Sequence, residues 1–306
     1  MQDNLRVVRR GFDEIREITD KQLDAPGQGP ERKPAGLPVM LKRLPEGGGG
    51  ISDMVANDVS VDGTIIVGTG NVKTGMVGWF ADTTVVDEDL VPIPVQLTIT
   101  DMFYTEQTLQ TSSAQAVSAD GLIIAGYGGT KRGNKAFVTT FLGMDSATGE
   151  ALLESYVLPA IDGGQWSEAY AMTPDGLYIA GRSDSPKGPQ ACIWFQDAAT
   201  LEWVVKPLGG LSNKKLDSVA TGIAYRVGSD AGDLMVVGKS KSILYPSEAF
   251  VWAGNPVLED DEIGYMYDLE YILTKTGVGE LSGMGSEWIL NEATGLSAAA
   301  GLPWTG

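Results

Sequence analysis

The sequence predicts an all-β fold: a five-bladed β-propeller of about four short strands per blade over residues 37–306, preceded over residues 1–36 by one helix and a proline-rich spacer. Three observations carry this expectation. A module recurs five times along the chain, three of its copies hold an Asp-Gly dipeptide between apolar runs, and glycine reaches 40 of 306 residues without a collagen period.

The module emerges when the chain is compared with itself. Ala56–Gly68, Ala114–Gly126 and Ala169–Gly181 align without gaps, Ala220–Gly238 aligns around a longer middle, and Glu292–Gly301 is a degenerate fifth copy. The closing glycines recur at intervals of 55 to 63 residues. Asp62-Gly63, Asp120-Gly121 and Asp175-Gly176 each join two apolar runs. They predict hairpins with type I′ turns, because that turn needs positive φ at both central residues. In the fourth copy a longer loop, Arg226 to Asp233, replaces the tight turn.

After each hairpin comes a third run ending on an aromatic: Met76–Phe80, Ala136–Phe141, Ala191–Phe195 and Ala249–Trp252. A fourth run follows, as in Tyr156–Pro159 and Trp203–Leu208. Four short strands per unit is the composition of a propeller blade. The glycine that closes each second strand predicts either a close approach of neighbouring backbones or a bulge. The recurring aspartates are explained by turn chemistry, since the turn demands the residue observed. They also lack the Ser-x-Asp-x-Gly-x-Thr-Trp order of a sialidase-type Asp box.

The unit Ala-x-Ala-Val-Ser-x-Asp-Gly-x-Ile-Ile-x-Gly followed by Ala-Phe-x-Trp resembles the HAF repeat family of predicted extracellular β-propeller proteins, over roughly residues 37–306. The chain departs from that pattern at the histidine, which it lacks altogether; Gly75, Lys135, Gln190 and Glu248 stand at the equivalent positions. The resemblance implies a propeller and brings no catalytic chemistry with it.

The fifth unit stops early, with Trp288–Leu290 and Leu296–Gly301 before the chain ends. A ring must join its last blade to its first, because an unpaired sheet edge invites aggregation. The strand-like Pro38–Pro45 precedes the first hairpin as Tyr156–Pro159 precedes the third, so it is expected to complete the last blade. An open or six-bladed arrangement is the alternative.

Residues 4–23 read as a helix whose stripe is Leu5, Val8, Phe12 and Ile15. Thr19 and Gln22 interrupt the register, and the prolines of Asp24 to Leu37 make a spacer that is neither helix nor strand for long. Two readings follow. The helix folds back on the propeller, or it anchors the chain by self-association or by docking on a larger assembly.

The net charge of −18 arises entirely in residues 41–306, with 15 basic against 33 acidic residues, while residues 1–40 are neutral. Such a surface repels phosphate backbones, so nucleic acid is not an expected partner. The single cysteine, Cys192, lies in an apolar run and reads as a buried, inert thiol. No signal peptide and no membrane-spanning stretch is encoded, so the chain is expected to be soluble, on a virion or an extracellular surface rather than in cytoplasm.

Without histidine, Ser-His and Cys-His catalysis and every His-containing metal site are excluded, and no P-loop, dinucleotide fingerprint or Cys-x-x-Cys is present. The acidic runs Asp87–Asp89 and Glu259–Glu262 read as solvated loops with calcium binding as the sharper alternative; neither follows the EF-hand pattern. No cofactor is expected. The expected function is an interaction or structural module, a propeller head mounted through residues 1–36 on protein partners in a larger assembly or homo-oligomer, with a glycan as a further ligand for its loops. The rivals are a carboxylate-dependent glycan-cleaving enzyme with its site in the channel, and a secreted bacterial repeat protein.

Overall fold

The structure is a computed structural model that describes residues 51–86, 92–99, 109–144, 151–212, 216–226, 232–258, 264–275 and 290–296. The helical stripe Leu5, Val8, Phe12 and Ile15, the spacer, the strand expected at 38–45, the acidic runs 87–89 and 259–262 and residues 297–301 lie outside the described residues.

Among the described residues sixteen strands form four antiparallel four-stranded sheets, each a meander in chain order. The first sheet holds β1 (Ser52–Val59), β2 (Ile65–Val72), β3 (Gly75–Val86) and β4 (Pro92–Gln96). The second holds β5 (Ser113–Val117), β6 (Ile123–Thr130), β7 (Gly133–Met144) and β8 (Ala151–Val157). The third holds β9 (Ser167–Met172), β10 (Ile179–Ser183), β11 (Gln190–Gln196) and β12 (Trp203–Gly209). The fourth holds β13 (Ser218–Tyr225), β14 (Leu234–Ser240), β15 (Glu248–Gly254) and β16 (Gly264–Asp268). One short helix follows, α1 (Leu269–Lys275), capped by Asp268, whose Oδ1 accepts the Glu270 and Tyr271 N–H groups.

The predicted hairpins are present, but their turns are not type I′. Ser60 N–H donates to the Ile65 carbonyl and Gly63 N–H to the Ser60 carbonyl, leaving a four-residue loop. Positive φ occurs at Gly63, Gly121 and Gly176 (+74°, +75° and +72°) and at none of the preceding aspartates. Side-chain bonding explains the difference. Ser118 Oγ accepts the Ile123 N–H at 2.9 Å and donates to Asp120 Oδ1, which also accepts the Leu122 N–H at 3.0 Å. Ser60 with Asp62 and Thr173 with Asp175 repeat the arrangement. The Ser/Thr-x-Asp-Gly motif thus folds a longer loop upon its own hydroxyl and carboxylate. Asp120→Ala is expected to cost about 1 kcal/mol in urea unfolding, and Asp120→Asn, which keeps the accepting oxygen, less than half of that.

These loops also join the sheets. Val61 N–H donates to the Ala119 carbonyl, and Ala119 N–H to the Pro174 carbonyl. Pro174 has no N–H with which to continue the series. At the fourth sheet the link is a side chain instead, Tyr225 O–H donating to Asp175 Oδ2 at 2.6 Å.

At the other end the sheets are tied by serines that precede or open the inner strands. Gly78, Ala136 and Ala191 N–H groups donate to Ser112, Ser167 and Ser218 Oγ of the following sheet at 2.8–3.0 Å. Between these ties the cores are layers between sheets. Val67, Phe80, Ile124 and Phe137 pack between the first two; Val138, Ile179, Cys192 and Trp194 between the next two; Ile193, Val236, Phe250 and Trp252 between the last two. Cys192 is fully buried, and burial holds its thiol well above its ordinary pKa, as the sequence led us to expect. Four meanders, stacked face to face in chain order with the same ties at each junction, are the layout of propeller blades.

Both expectations for the closing glycines hold together. Gly68, Gly126, Gly181 and Gly238 sit where a Cβ would come within 1.9–2.0 Å of a carbonyl oxygen on the inner strand. One step on, each inner strand carries an extra residue: the register jumps from Ala56 to Asp58, Ala114 to Ala116, Ala169 to Ala171 and Ala220 to Gly222. A bulge opposite a glycine bends the inner strand and re-aims the extra side chain.

Candidate functional site, the bulge ring of the channel

The extra residues are Asn57, Gln115, Tyr170 and Thr221, and they line one cavity of about 440 Å³ where the inner strands converge. Thr294 joins them from the segment 290–296. That segment lies against the fourth sheet: Ala249 N–H donates to the Leu290 carbonyl, Ala293 N–H to the Gly238 carbonyl, and Thr221 Oγ1 to the Ala293 carbonyl. Lys239 Nζ meets Glu292 at 3.1 Å. Five copies of the Ala-x motif therefore place five variable side chains around one opening.

Much of the ring's hydrogen bonding is internal. Asn57 Nδ2 donates to the Ala114 carbonyl at 2.7 Å and to Thr69 Oγ1 at 3.0 Å. Gln115 Nε2 donates to Ser113 Oγ at 2.6 Å, and Ser113 Oγ shares a hydrogen bond of 2.5 Å with Thr69 Oγ1. Asp58 is the carboxylate in the cavity's described lining. Its Oδ1 accepts the Val59 N–H and its Oδ2 the Val117 N–H of the next sheet, both at 2.9 Å.

Beside Tyr170 lies the most heavily bonded polar cluster of the described residues. Glu168 is buried, and its oxygens accept from Arg182 Nε at 2.7 Å, from Asn134 Nδ2 and from the Tyr170 hydroxyl. Arg182 in turn lies over the Trp166 ring, 5.0 Å from its centroid, and Tyr127 meets Tyr170 edge-on at 5.8 Å. Burial alone would raise the pKa of Glu168, but the bonds from Tyr170, Asn134 and Arg182 outweigh it and hold the carboxyl below its ordinary value. Burial first, and the bond to Glu168 second, push the Tyr170 phenol well above its ordinary pKa. Glu168 is therefore an anion and Tyr170 a neutral donor throughout the physiological range. Neither is poised to exchange a proton near neutrality.

The three carboxylates of the Asp-Gly motif lie in the turns and serve them, as the sequence reading assigned. Among the described residues no three of Asp, Glu, His and Cys gather as a metal would require. Lys135 Nζ reaches the Gln165 carbonyl at 2.5 Å and Gln190 Nε2 reaches Ser185 Oγ at 2.6 Å. Burial, then the nearby charge of Arg132, lowers the pKa of Lys135.

The bulge ring was not among the residues singled out from sequence. A signal for it is present: within a motif that repeats Ala on one side, the next position reads Asn, Gln, Tyr, Thr and Thr. Variation confined to one place in a repeat marks the position that the fold leaves free.

No family model matches the chain, and no curated protein is similar to it in sequence. Among solved structures, the crystal structure of TolB from Acinetobacter baumannii is similar to 71% of this chain and 44% of that one, with 14% identity and a TM-score of 0.40. The chain thus spans less than half of that protein's length.

Proposed function

We propose that the chain is a five-bladed propeller head that acts by binding or structural attachment and not by catalysis. The observation that carries this reading is the state of the carboxylates around the channel. Asp58 spends both oxygens on backbone N–H groups, and Glu168 is saturated by three side-chain donors. Glycoside hydrolysis needs one carboxyl held protonated and a second free to attack or to activate water. Carboxylates engaged in this way by the protein's own donors suit a rigid scaffold instead. The reading of a fifth blade is supported by residues 290–296, which lie against the fourth sheet, the bond from Thr221 Oγ1 to the Ala293 carbonyl being the counterpart of that from Asn57 Nδ2 to the Ala114 carbonyl.

In this reading the ring of Asn57, Gln115, Tyr170, Thr221 and Thr294 is a neutral, polar recognition surface. The stripe Leu5, Val8, Phe12 and Ile15 attaches the head to a larger assembly, such as a virion appendage or surface structure, by pairing with its counterpart on a second copy. The proline spacer links that stripe to the head along the sequence. Light scattering on the full-length chain tests it. The chain is expected to be self-associated, and Val8→Asp with Phe12→Asp to release monomers with unchanged circular dichroism. A monomeric full-length chain overturns the attachment. Glycan hydrolysis by the pure protein that Asp58→Asn abolishes overturns the non-catalytic reading.

A further inference from the structure

A second cavity, of about 450 Å³, lies between the second and third sheets at the end where the Asp-Gly loops cluster. It is separate from the channel, and no residue lines both. Four aromatic residues help to wall it: Tyr156, Tyr178, Phe195 and Trp203. Tyr178 and Phe195 are 5.9 Å apart between centroids and tilted by 45°. Polar groups stand among them, from Thr140, Gln196 and Asp197. Asp197 is held by one oxygen: its Oδ1 accepts from the Ala199 and Thr200 N–H groups and from Thr200 Oγ1, while Oδ2 accepts none of these bonds.

One further observation is independent of the cavity's shape. The indole N–H of Trp203 is buried and has no acceptor among the described residues. Folded proteins rarely leave such a group unsatisfied, and each case calls for a cause. We propose that this cavity binds an uncharged sugar ring. The inference rests on the reading of the chain as a binding head and names the class of ligand it takes.

A pyranose has two weakly polar faces and a rim of hydroxyls. The cavity offers the matching parts, aromatic walls for the faces and a few placed polar groups for the rim. Its volume is that of a small-ligand site. The Trp203 N–H is sealed in the free protein, so donating to a sugar oxygen requires the indole to shift toward the cavity. Among the described residues no lysine or arginine lines the cavity, and the chain carries −18 overall, which disfavours sialic acids, uronic acids and phosphosugars. An organic cation would also suit aromatic rings near a carboxylate. It would leave the Thr140 hydroxyl, the Gln196 amide and the Trp203 N–H without a role, so the neutral sugar accounts for more of the cavity.

The test is titration of the full-length protein, followed by saturation-transfer NMR and calorimetry. The probes are lactose, maltose, cellobiose and N,N′-diacetylchitobiose, with sialyllactose and choline as contrasts. At least one neutral disaccharide is expected to bind in the millimolar range or tighter, with sialyllactose and choline about tenfold weaker or more. Trp203→Phe keeps one aromatic ring and removes the N–H; it is expected to weaken sugar binding by about three- to tenfold while leaving the thermal midpoint equal or higher. Gln196→Ala, at an exposed position, is expected to weaken it by a similar factor. No binding of any neutral sugar at about 10 mM, preference for sialyllactose or choline, or binding indifferent to both substitutions overturns the proposal. Those failures would leave the light-scattering result untouched, so the sugar site and the attachment reading fail separately.

Discussion

Glu168→Leu is expected to cause the largest loss of stability of any single side-chain truncation around the channel, about 2–4 kcal/mol by urea unfolding. Removing one partner of a fully buried ion pair costs about 3–5 kcal/mol, because the other charge is left uncompensated. Arg182 keeps 34% of its side-chain surface exposed, so water recovers part of that cost here. Three donors lose their acceptor together: the Arg182 guanidinium, the Tyr170 hydroxyl and the Asn134 amide. Glu168→Gln retains an acceptor and should fall between wild type and Leu.

The same cluster sets a pH dependence whose sign is determined. Glu168 has a folded pKa below its ordinary value of 4.5, so folding favours the ionised form. Its contribution is complete above the unfolded value and is lost as pH falls through the folded one. The stability difference between wild type and Glu168→Leu should therefore be constant near neutrality and shrink below about pH 4.5. A difference that grows on acidification would contradict the assignment of Glu168 as the stabilised anion.

Gly126→Ala is the second large effect, with an expected cost of about 3 kcal/mol or more in thermal or urea unfolding. A Cβ there would stand 1.9 Å from the Ser113 carbonyl oxygen and 3.1 Å from the Ala114 Cα. Both are backbone atoms, so the conflict cannot be relieved by a rotamer. Relief requires β5 and β6 to separate at the bulge that places Gln115, disturbing the ring as well as the sheet. Gly143→Ala provides the contrast. Gly143 has φ +120° with open space around it, so its substitution strains only the local backbone and should cost about 1–2 kcal/mol. Equal costs at the two positions would refute the close-approach argument.

The hairpins show where local reading reached its limit. Asp62-Gly63, Asp120-Gly121 and Asp175-Gly176 predicted the position of the first turn in each of the first three sheets correctly, because glycine's tolerance of positive φ is a property of the residue itself. The turn type was missed. The hydroxyl two residues before each aspartate closes a longer loop, and whether a Ser side chain turns inward to its own backbone depends on the geometry of the whole hairpin. In the same way a glycine in a repeat reads alike whether it answers a positive φ, as at Gly121, or a neighbouring carbonyl, as at Gly126.

By itself, then, the amino-acid order determined the module, its period, the four-strand succession within each intact copy and the burial of Cys192. All of these follow from turn residues and apolar runs acting over a few positions. The tertiary structure decided which side chains meet. Glu168 finds Asn134 from the preceding sheet, Asp58 finds Val117, and four bulged residues together with Thr294, spread over more than two hundred positions, come to face one opening. Such meetings depend on how the sheets stack and where each inner strand bends. Those angles and offsets are set by packing between sheets, and no short stretch of sequence carries them.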